Sequence, residues 1–354
     1  MIRISMRPQK SNYNRMKKGS FTVLFAFWSI LNFAQDIQYS QYYANPIYLN
    51  PAFTGSTGLT RVGVNFRNQW PALDQSFVAY TAYFDHYEDR INSGFGLIFQ
   101  GAQESFTQTS LNEIGLVYSY RLRLSEKSYI QAGVQGSFLA RDALFDRVIL
   151  GTQLDIDTGL ILGEPGEAFE GDSKIRSADA HAGLLYYGEK AWFGVSVSHL
   201  MEPEISYLVD NSNQLPMKYS MHGGYRINLA PGDINDYFNN VDQERSLALG
   251  FNYKQQGQFS QLDLGAEFFF EPLVLGFWYR GLPTKYSLPN NEALIFLLGV
   301  NIPSGLDLGY SFDYSISKLG FSQSGGAHEL SLRYVFSPKS PKKQYYPPLP
   351  SFRY

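Results

Sequence analysis

Past residue 60 one pattern dominates the chain: strand-length segments with an apolar residue at every second position, recurring about fourteen times with almost no helical periodicity between them. Leu262-Asp263-Leu264-Gly265-Ala266-Glu267-Phe268 is one such segment, and Leu306-Asp307-Leu308-Gly309-Tyr310-Ser311-Phe312-Asp313-Tyr314 is another. Successive side chains of a strand point to opposite faces, so each segment has one apolar and one polar face. A closed barrel with lipid outside and a wet interior accounts for so many repeats; a soluble β-sandwich is the competing arrangement. The expected fold is all-β, a transmembrane antiparallel up-and-down β-barrel of about 14 strands with an irregular N-terminal segment and a Pro-rich C-terminal tail.

Strands are expected near 61–69, 76–85, 93–101, 110–123, 128–141, 177–187, 191–200, 217–229, 245–256, 260–270, 273–281, 292–302, 305–315 and 327–336. The count is even, as in single-chain bacterial outer-membrane barrels, which keep short turns in the periplasm and long loops outside. With both barrel ends periplasmic, the inward turns include Ser125-Glu126-Lys127, Gly188-Glu189-Lys190, Glu271-Pro272 and Pro303-Ser304-Gly305. The outward connections include 142–176, 201–216, 282–291 and 316–326. Two inner connections, Asp85 to Asn92 and Pro231 to Asp242, are too long for simple turns and strain the rule.

Composition agrees with a barrel. Hydrophobic residues make up 44% of the chain, and no apolar run after the N-terminus reaches the roughly 18 residues of a membrane helix. Aromatic residues, at 16%, suit girdles at the two membrane interfaces. There is no cysteine, which excludes disulfides, thiolate metal sites, a Cys nucleophile and a lipoprotein anchor. A net charge of −3 argues against nucleic acid as a partner.

Residues 1–34 are expected to be an N-terminal extension and signal peptide. Met16-Lys17-Lys18 supplies the positive start, 21–33 the apolar stretch, and Ala34 a small residue before Gln35; residues 1–15 read as an over-long start. The barrel is expected over 61–336. Residues 35–60 and 337–354 fall outside the alternation.

In the first of these pieces, Asn45-Pro46 and Asn50-Pro51 break regular structure, because proline offers no donor and holds its predecessor extended. Unpaired backbone cannot face lipid, so 35–60 belongs in the periplasm or inside the lumen. Tyr39, Tyr42, Tyr43, Tyr48 and Phe53 favour lumen packing or a partner over a disordered leader. The candidate partner or plug residues are Tyr39, Tyr42, Asn45, Pro46, Tyr48, Asn50, Pro51 and Phe53. The tail holds Pro338, Pro341, Pro347, Pro348 and Pro350, which forbid another ladder, and Lys339, Lys342, Lys343 and Arg353 without an acid. It is expected to be periplasmic, and Lys342, Lys343, Tyr345 and Tyr346 are its candidate docking residues.

No constellation of catalytic, cofactor-binding or metal-ligating residues is assigned. A lipase-type barrel would need a Ser and a His within hydrogen-bond reach, oriented by a third polar group. His86, His181, His199, His222 and His328 are expected to lack a serine on their own strand face, while a cross-strand pair stays open. Asp263 and Glu267 share a face at roughly 13 Å, beyond the separation of about 5–9.5 Å for glycosidase carboxylates. They are expected to be lumen charges balanced by Arg121, Arg226, Arg280 or Arg333, and Gly265, Gly276 and Gly309 to relieve crowding there. The acids of 142–176, Asp155-Ile156-Asp157 and Glu164 to Asp172 among them, lack the pattern of an EF-hand and read as a solvated loop.

Both ends of the mature chain resemble a known family. Gln35-Asp36-Ile37-Gln38-Tyr39-Ser40-Gln41-Tyr42 and Asn45-Pro46-Ile47-Tyr48-Leu49-Asn50-Pro51-Ala52-Phe53-Thr54-Gly55-Ser56 are similar to the mature start of PorP/SprF proteins. Gly309-Tyr310-Ser311-Phe312-Asp313-Tyr314-Ser315-Ile316-Ser317-Lys318-Leu319 and Gly326-Ala327-His328-Glu329-Leu330-Ser331-Leu332 resemble that family's last hairpin, and 180–200 also fits. The resemblance implies an outer-membrane protein of the type IX secretion system of Bacteroidetes, associated with gliding motility. It implies as partners the secretion machinery and a secreted adhesin or other surface cargo, in addition to outer-membrane lipid. The expected function is that of a secretion component or cargo-specific partner and not of an enzyme. A passive porin or solute channel is the alternative.

Overall fold

The computed structural model describes residues 36–73, 76–105, 108–143, 173–207, 213–229, 245–282, 291–302 and 304–336. The chain divides into two units, Met1–Asp36 and Ile37–Tyr354, and the second holds every described strand. The signal segment, most of the acidic 142–176 connection, the 231–242 connection, and the tail with Lys342, Lys343, Tyr345 and Tyr346 lie outside the described residues.

Alternation translates directly into strands. In one of them Ile114, Leu116, Tyr118 and Tyr120 are exposed, while Gly115, Val117, Ser119 and Arg121 between them are buried. The apolar face therefore points out of the barrel and the polar face into it, the reverse of a soluble protein. Among the described residues no helix is long and apolar enough to cross a membrane; the strands do the crossing.

There are fourteen strands among the described residues: β1 Thr60–Gln69, β2 Phe77–Glu88, β3 Ser93–Glu104, β4 Thr109–Arg123, β5 Tyr129–Ala143, β6 Lys174–Tyr187 and β7 Ala191–Ser198, then β8 Lys218–Asn228, β9 Arg245–Gln256, β10 Phe259–Phe270, β11 Leu273–Gly281, β12 Asn291–Ile302, β13 Leu306–Ser315 and β14 Ala327–Phe336. Each pairs antiparallel with its sequence neighbours. β1 closes the sheet on β14, in a register running from Thr60 opposite Phe336 to Gln69 opposite Ala327. Closure leaves no sheet edge to be satisfied in lipid.

The two rims differ. One carries the connections 89–92, 124–128, 188–190, 229–244, 271–272 and 303–305 together with both ends of the barrel, Thr60 and Phe336. The other carries the two longest connections, 144–173 and 199–217. The Asp85 to Asn92 connection is not the long one expected. β2 continues to Glu88, a 3₁₀ turn spans Asp89–Ile91, and Asn92 takes φ 52°. The outward-facing polar residues His86 and Glu88 end the apolar face before the ladder itself ends.

Ahead of β1 the chain forms a 3₁₀ turn at Tyr42–Ala44, a one-turn helix α1 at Pro46–Leu49 and a second 3₁₀ turn at Pro51–Phe53. A short helix α2, Phe321–Ser324, precedes β14.

Candidate functional site

The two Asn-Pro steps shape the N-terminal segment. Pro46 and Pro51 take the first positions of their turns, where a missing N–H is harmless. Asn50 caps the second turn, its Oδ1 accepting from the Ala52 amide at 2.9 Å. Inside the segment Tyr39 and Tyr48 meet edge to face at 5.3 Å, and the Tyr48 hydroxyl donates to the Ile37 carbonyl. The result is a compact, aromatic strand of chain with almost every residue from 37 to 56 buried.

What buries it is the inner face of the barrel, in three tiers. Toward the long-loop rim, Glu329 of β14 accepts from two successive backbone amides, Ser40 at 2.7 Å and Gln41 at 3.1 Å. Ser40 Oγ donates to Asp313 of β13 at 2.6 Å, and Arg67 of β1 and Arg280 of β11 donate to the same Oγ at 2.7 and 3.0 Å. Those arginines also pair with Asp313 at 2.8 and 3.2 Å, and Arg280 with Asp263 of β10 at 3.0 Å. Tyr39 reaches Thr81 of β2 at 2.6 Å.

At mid-height, Asn50 Nδ2 donates to the carbonyls of Leu184 at 3.0 Å and Val195 at 3.1 Å, on β6 and β7. Ser196 donates to the Leu49 carbonyl at 3.0 Å, and Tyr83 to the Ala44 carbonyl at 2.9 Å. Tyr42 packs edge to face on Trp278 at 5.3 Å, and Phe53, nearer the short-turn rim, on Trp192 at 5.7 Å. Nearer the long-loop rim, Lys218 Nζ stands 4.8 Å above the Tyr48 ring.

Toward the short-turn rim, Asp85 accepts from the Gly55 amide at 2.6 Å and from Arg61 at 2.9 Å. Arg121 donates to the Gly55 carbonyl at 2.6 Å, while Ser119 and Gln131 donate to that of Thr54 at 2.7 and 2.6 Å. Only a segment threading the interior reaches groups on β1, β2, β4, β5, β6, β7, β11, β13 and β14 at once.

Of the candidate residues, Tyr39, Tyr42, Tyr48, Asn50 and Phe53 thus touch the barrel wall or one another, and Pro46 and Pro51 shape the turns. Asn45 acts through its backbone: its carbonyl accepts from Leu49 at 3.2 Å and its amide donates to Tyr42 at 3.3 Å. The wall residues that hold the segment, chiefly Arg67, Arg280, Asp313, Glu329, Asp85 and Arg121, are not among the candidate plug residues, although Arg121 and Arg280 were expected as lumen charges. Their signal was a charge at an inward strand position. The expected balance of Asp263 and Glu267 is partly redrawn: Arg280 meets Asp263, Arg333 pairs with Asp307 at 2.7 Å, and Glu267 accepts from Trp278 Nε1 at 3.1 Å.

The histidines also depart from expectation. Ser220 and His222 stand two apart on the inner face of β8, with Oγ and Nδ1 3.5 Å apart. Across strands, Ser137 Oγ lies 3.2 Å from His181 Nε2. Glu113 approaches that same nitrogen at 3.1 Å, whereas a nucleophile–base–acid relay uses both ring nitrogens. The fold further brings Asp179, His181 and His199 together, where the sequence suggested no metal ligands.

The chain is similar, at low identity, to several solved structures. They include the TodX deltaS2S3 mutant monoaromatic hydrocarbon channel (11% identity, 82% of this chain and 92% of that one, TM-score 0.43). Omp33 of Acinetobacter baumannii (10%, 78% and 98%, 0.38) and a Pseudomonas aeruginosa FadL homologue (13%, 81% and 93%, 0.41) are others. No curated protein matches the chain. The family model for the type IX secretion system membrane protein PorP/SprF matches residues 31–334, from before the threaded segment to near the end of β14. The chain therefore belongs to the PorP/SprF family and is an integral outer-membrane β-barrel component of type IX secretion.

Proposed function

We propose that this barrel works by binding, as the cargo-specific partner through which type IX secretion exports or anchors a surface adhesin of the kind used in gliding motility. One observation carries the reading: a covalently continuous segment occupies the interior and is hydrogen-bonded to the wall at three heights. A barrel so filled is ill suited to free diffusion and leaves its rims as the working surfaces. In this reading the long-loop rim faces outward and engages the exported protein. The 35–60 segment serves as the plug, and the tail, with Lys342, Lys343, Tyr345 and Tyr346, docks on periplasmic machinery.

Deleting the gene and comparing secreted and surface proteomes tests this. Loss of one surface adhesin, with other cargo intact, is the expected result. Loss of every cargo would make the barrel a general component, and unchanged export would return it to the porin alternative. For the tail, truncation after Ser337 should leave a barrel that inserts but no longer supports export of its cargo; normal export by the truncated chain would remove the docking role.

A further inference from the structure

On the β4–β7 side of the interior, toward the long-loop rim, lies a second cluster of polar side chains. Asp179 and His181 occupy alternate, inward positions of β6, and His199 follows the end of β7. All three are buried, and one ligand atom from each lies within 4.8 Å of the others. His199 Nδ1 stands 2.5 Å from Asp179 Oδ2, and His181 Nε2 stands 3.6 Å from the same oxygen. The two imidazole rings meet at 5.3 Å with an interplanar angle of 67°.

We propose that Asp179, His181 and His199 form a binding site for one divalent transition-metal ion, Zn²⁺ foremost, with Glu113 beside its fourth position. Metal–ligand distances of about 2.0–2.2 Å in a tetrahedral site put neighbouring ligand atoms about 3.3–3.6 Å apart. The 3.6 Å between His181 Nε2 and Asp179 Oδ2 falls at the upper end of that spacing, and the 3.1 Å to Glu113 Oε1 is a few tenths of an ångström short of it. The His199–Asp179 contact, at 2.5 Å, has to lengthen by about 1 Å. Three oxygens, from Glu113, Ser137 and Asp179, converge on His181 Nε2, more acceptors and hydroxyls than one N–H can serve well. Two imidazoles and a carboxylate are the donor set of open zinc sites, and a second carboxylate would neutralise the ion's charge.

The surroundings hold these groups in place, as the partners of metal ligands do. Gln100 and Gln135 donate to Glu113 at 2.5 and 3.2 Å, and the Ala180 amide donates to Asp179 Oδ1 at 2.8 Å. His199 sits at φ 60°, a left-handed conformation uncommon outside glycine. The next residue fixes it there, with the Leu200 amide donating to the Ala180 carbonyl at 2.9 Å, directly between Asp179 and His181. An ion at this point would tie the root of the 199–217 loop to β6 and stiffen the rim.

The test uses the full mature barrel, free of a polyhistidine tag, in detergent after chelator treatment. Co²⁺, a spectroscopic stand-in for Zn²⁺, should give saturable visible absorption at one equivalent. Zn²⁺ alone should raise the unfolding temperature of the wild-type barrel. His181→Ala and His199→Ala should each weaken Co²⁺ binding by more than the ~10–100-fold seen for residues that only orient a ligand. His86→Ala, at an exposed histidine, should bind as the wild type does. No Co²⁺ spectrum and no Zn²⁺ stabilisation in the wild type would overturn the site. Equal binding by His181→Ala, His199→Ala and the wild type would also overturn it.

Discussion

At the scale of single residues, the informative ones are buried charges. An ion taken out of water is tolerated only when paired and hydrogen-bonded, and the long-loop tier meets that condition with two arginines against Asp313, Glu329 and Asp263. Arg67 is the tightest test. It pairs with Asp313 at 2.8 Å and Glu329 at 3.3 Å and donates to Ser40 at 2.7 Å, so Arg67→Met takes a partner from two carboxylates at once. Removing one partner of a buried pair costs about 3–5 kcal/mol; because Asp313 keeps Arg280 and Glu329 keeps two amides, the lower end is expected. Urea unfolding of the variant in detergent measures it. The double variant Arg67→Met/Glu329→Gln should recover part of the loss, whereas strict additivity would mean the pair is not coupled.

At the scale of elements, the strands were legible because lipid on one face and a wet lumen on the other impose period 2 along the ladder. Boundaries read from alternation fall within three residues of those observed. The misses share a cause: β2, β3 and β6 pair beyond the apolar band, where residues such as Glu88, Gln103 and Lys174 no longer meet lipid while the ladder continues. Facing is testable on β10. Leu264 is exposed while Asp263 and Glu267 are buried. Leu264→Arg should therefore cost roughly 2–4 kcal/mol near mid-bilayer, seen as a lower temperature for loss of the heat-modifiable folded band on gels. An unchanged transition would place Leu264 away from lipid. Gly265, on the other face, is a different case: a Cβ there would lie 2.2 Å from the Trp278 ring.

At the scale of the molecule, the path of the N-terminal segment was only half legible. Its tyrosines and prolines said that it must be sheltered. They did not say which inward charges it meets, because contacts such as Ser40 to Glu329 join residues 289 apart and depend on how the barrel closes. The clearest mark of the path is on β5. A Cβ on Gly133 would lie 2.3 Å from the Ala52 nitrogen and 2.4 Å from the Pro51 carbonyl carbon, both backbone atoms that have no rotamer with which to yield. One on Gly136, three residues along the same strand, would meet nothing within 4 Å. Gly133→Ala should thus push the Pro51–Phe53 turn off the wall without harming the ladder, since alanine is at least as good a strand residue as glycine. In planar bilayers the wild type and Gly136→Ala should carry little ion current, while Gly133→Ala should show openings. Comparable large currents from all three would mean that the segment does not seal the lumen, and binding would lose its place to diffusion as the reading of this barrel.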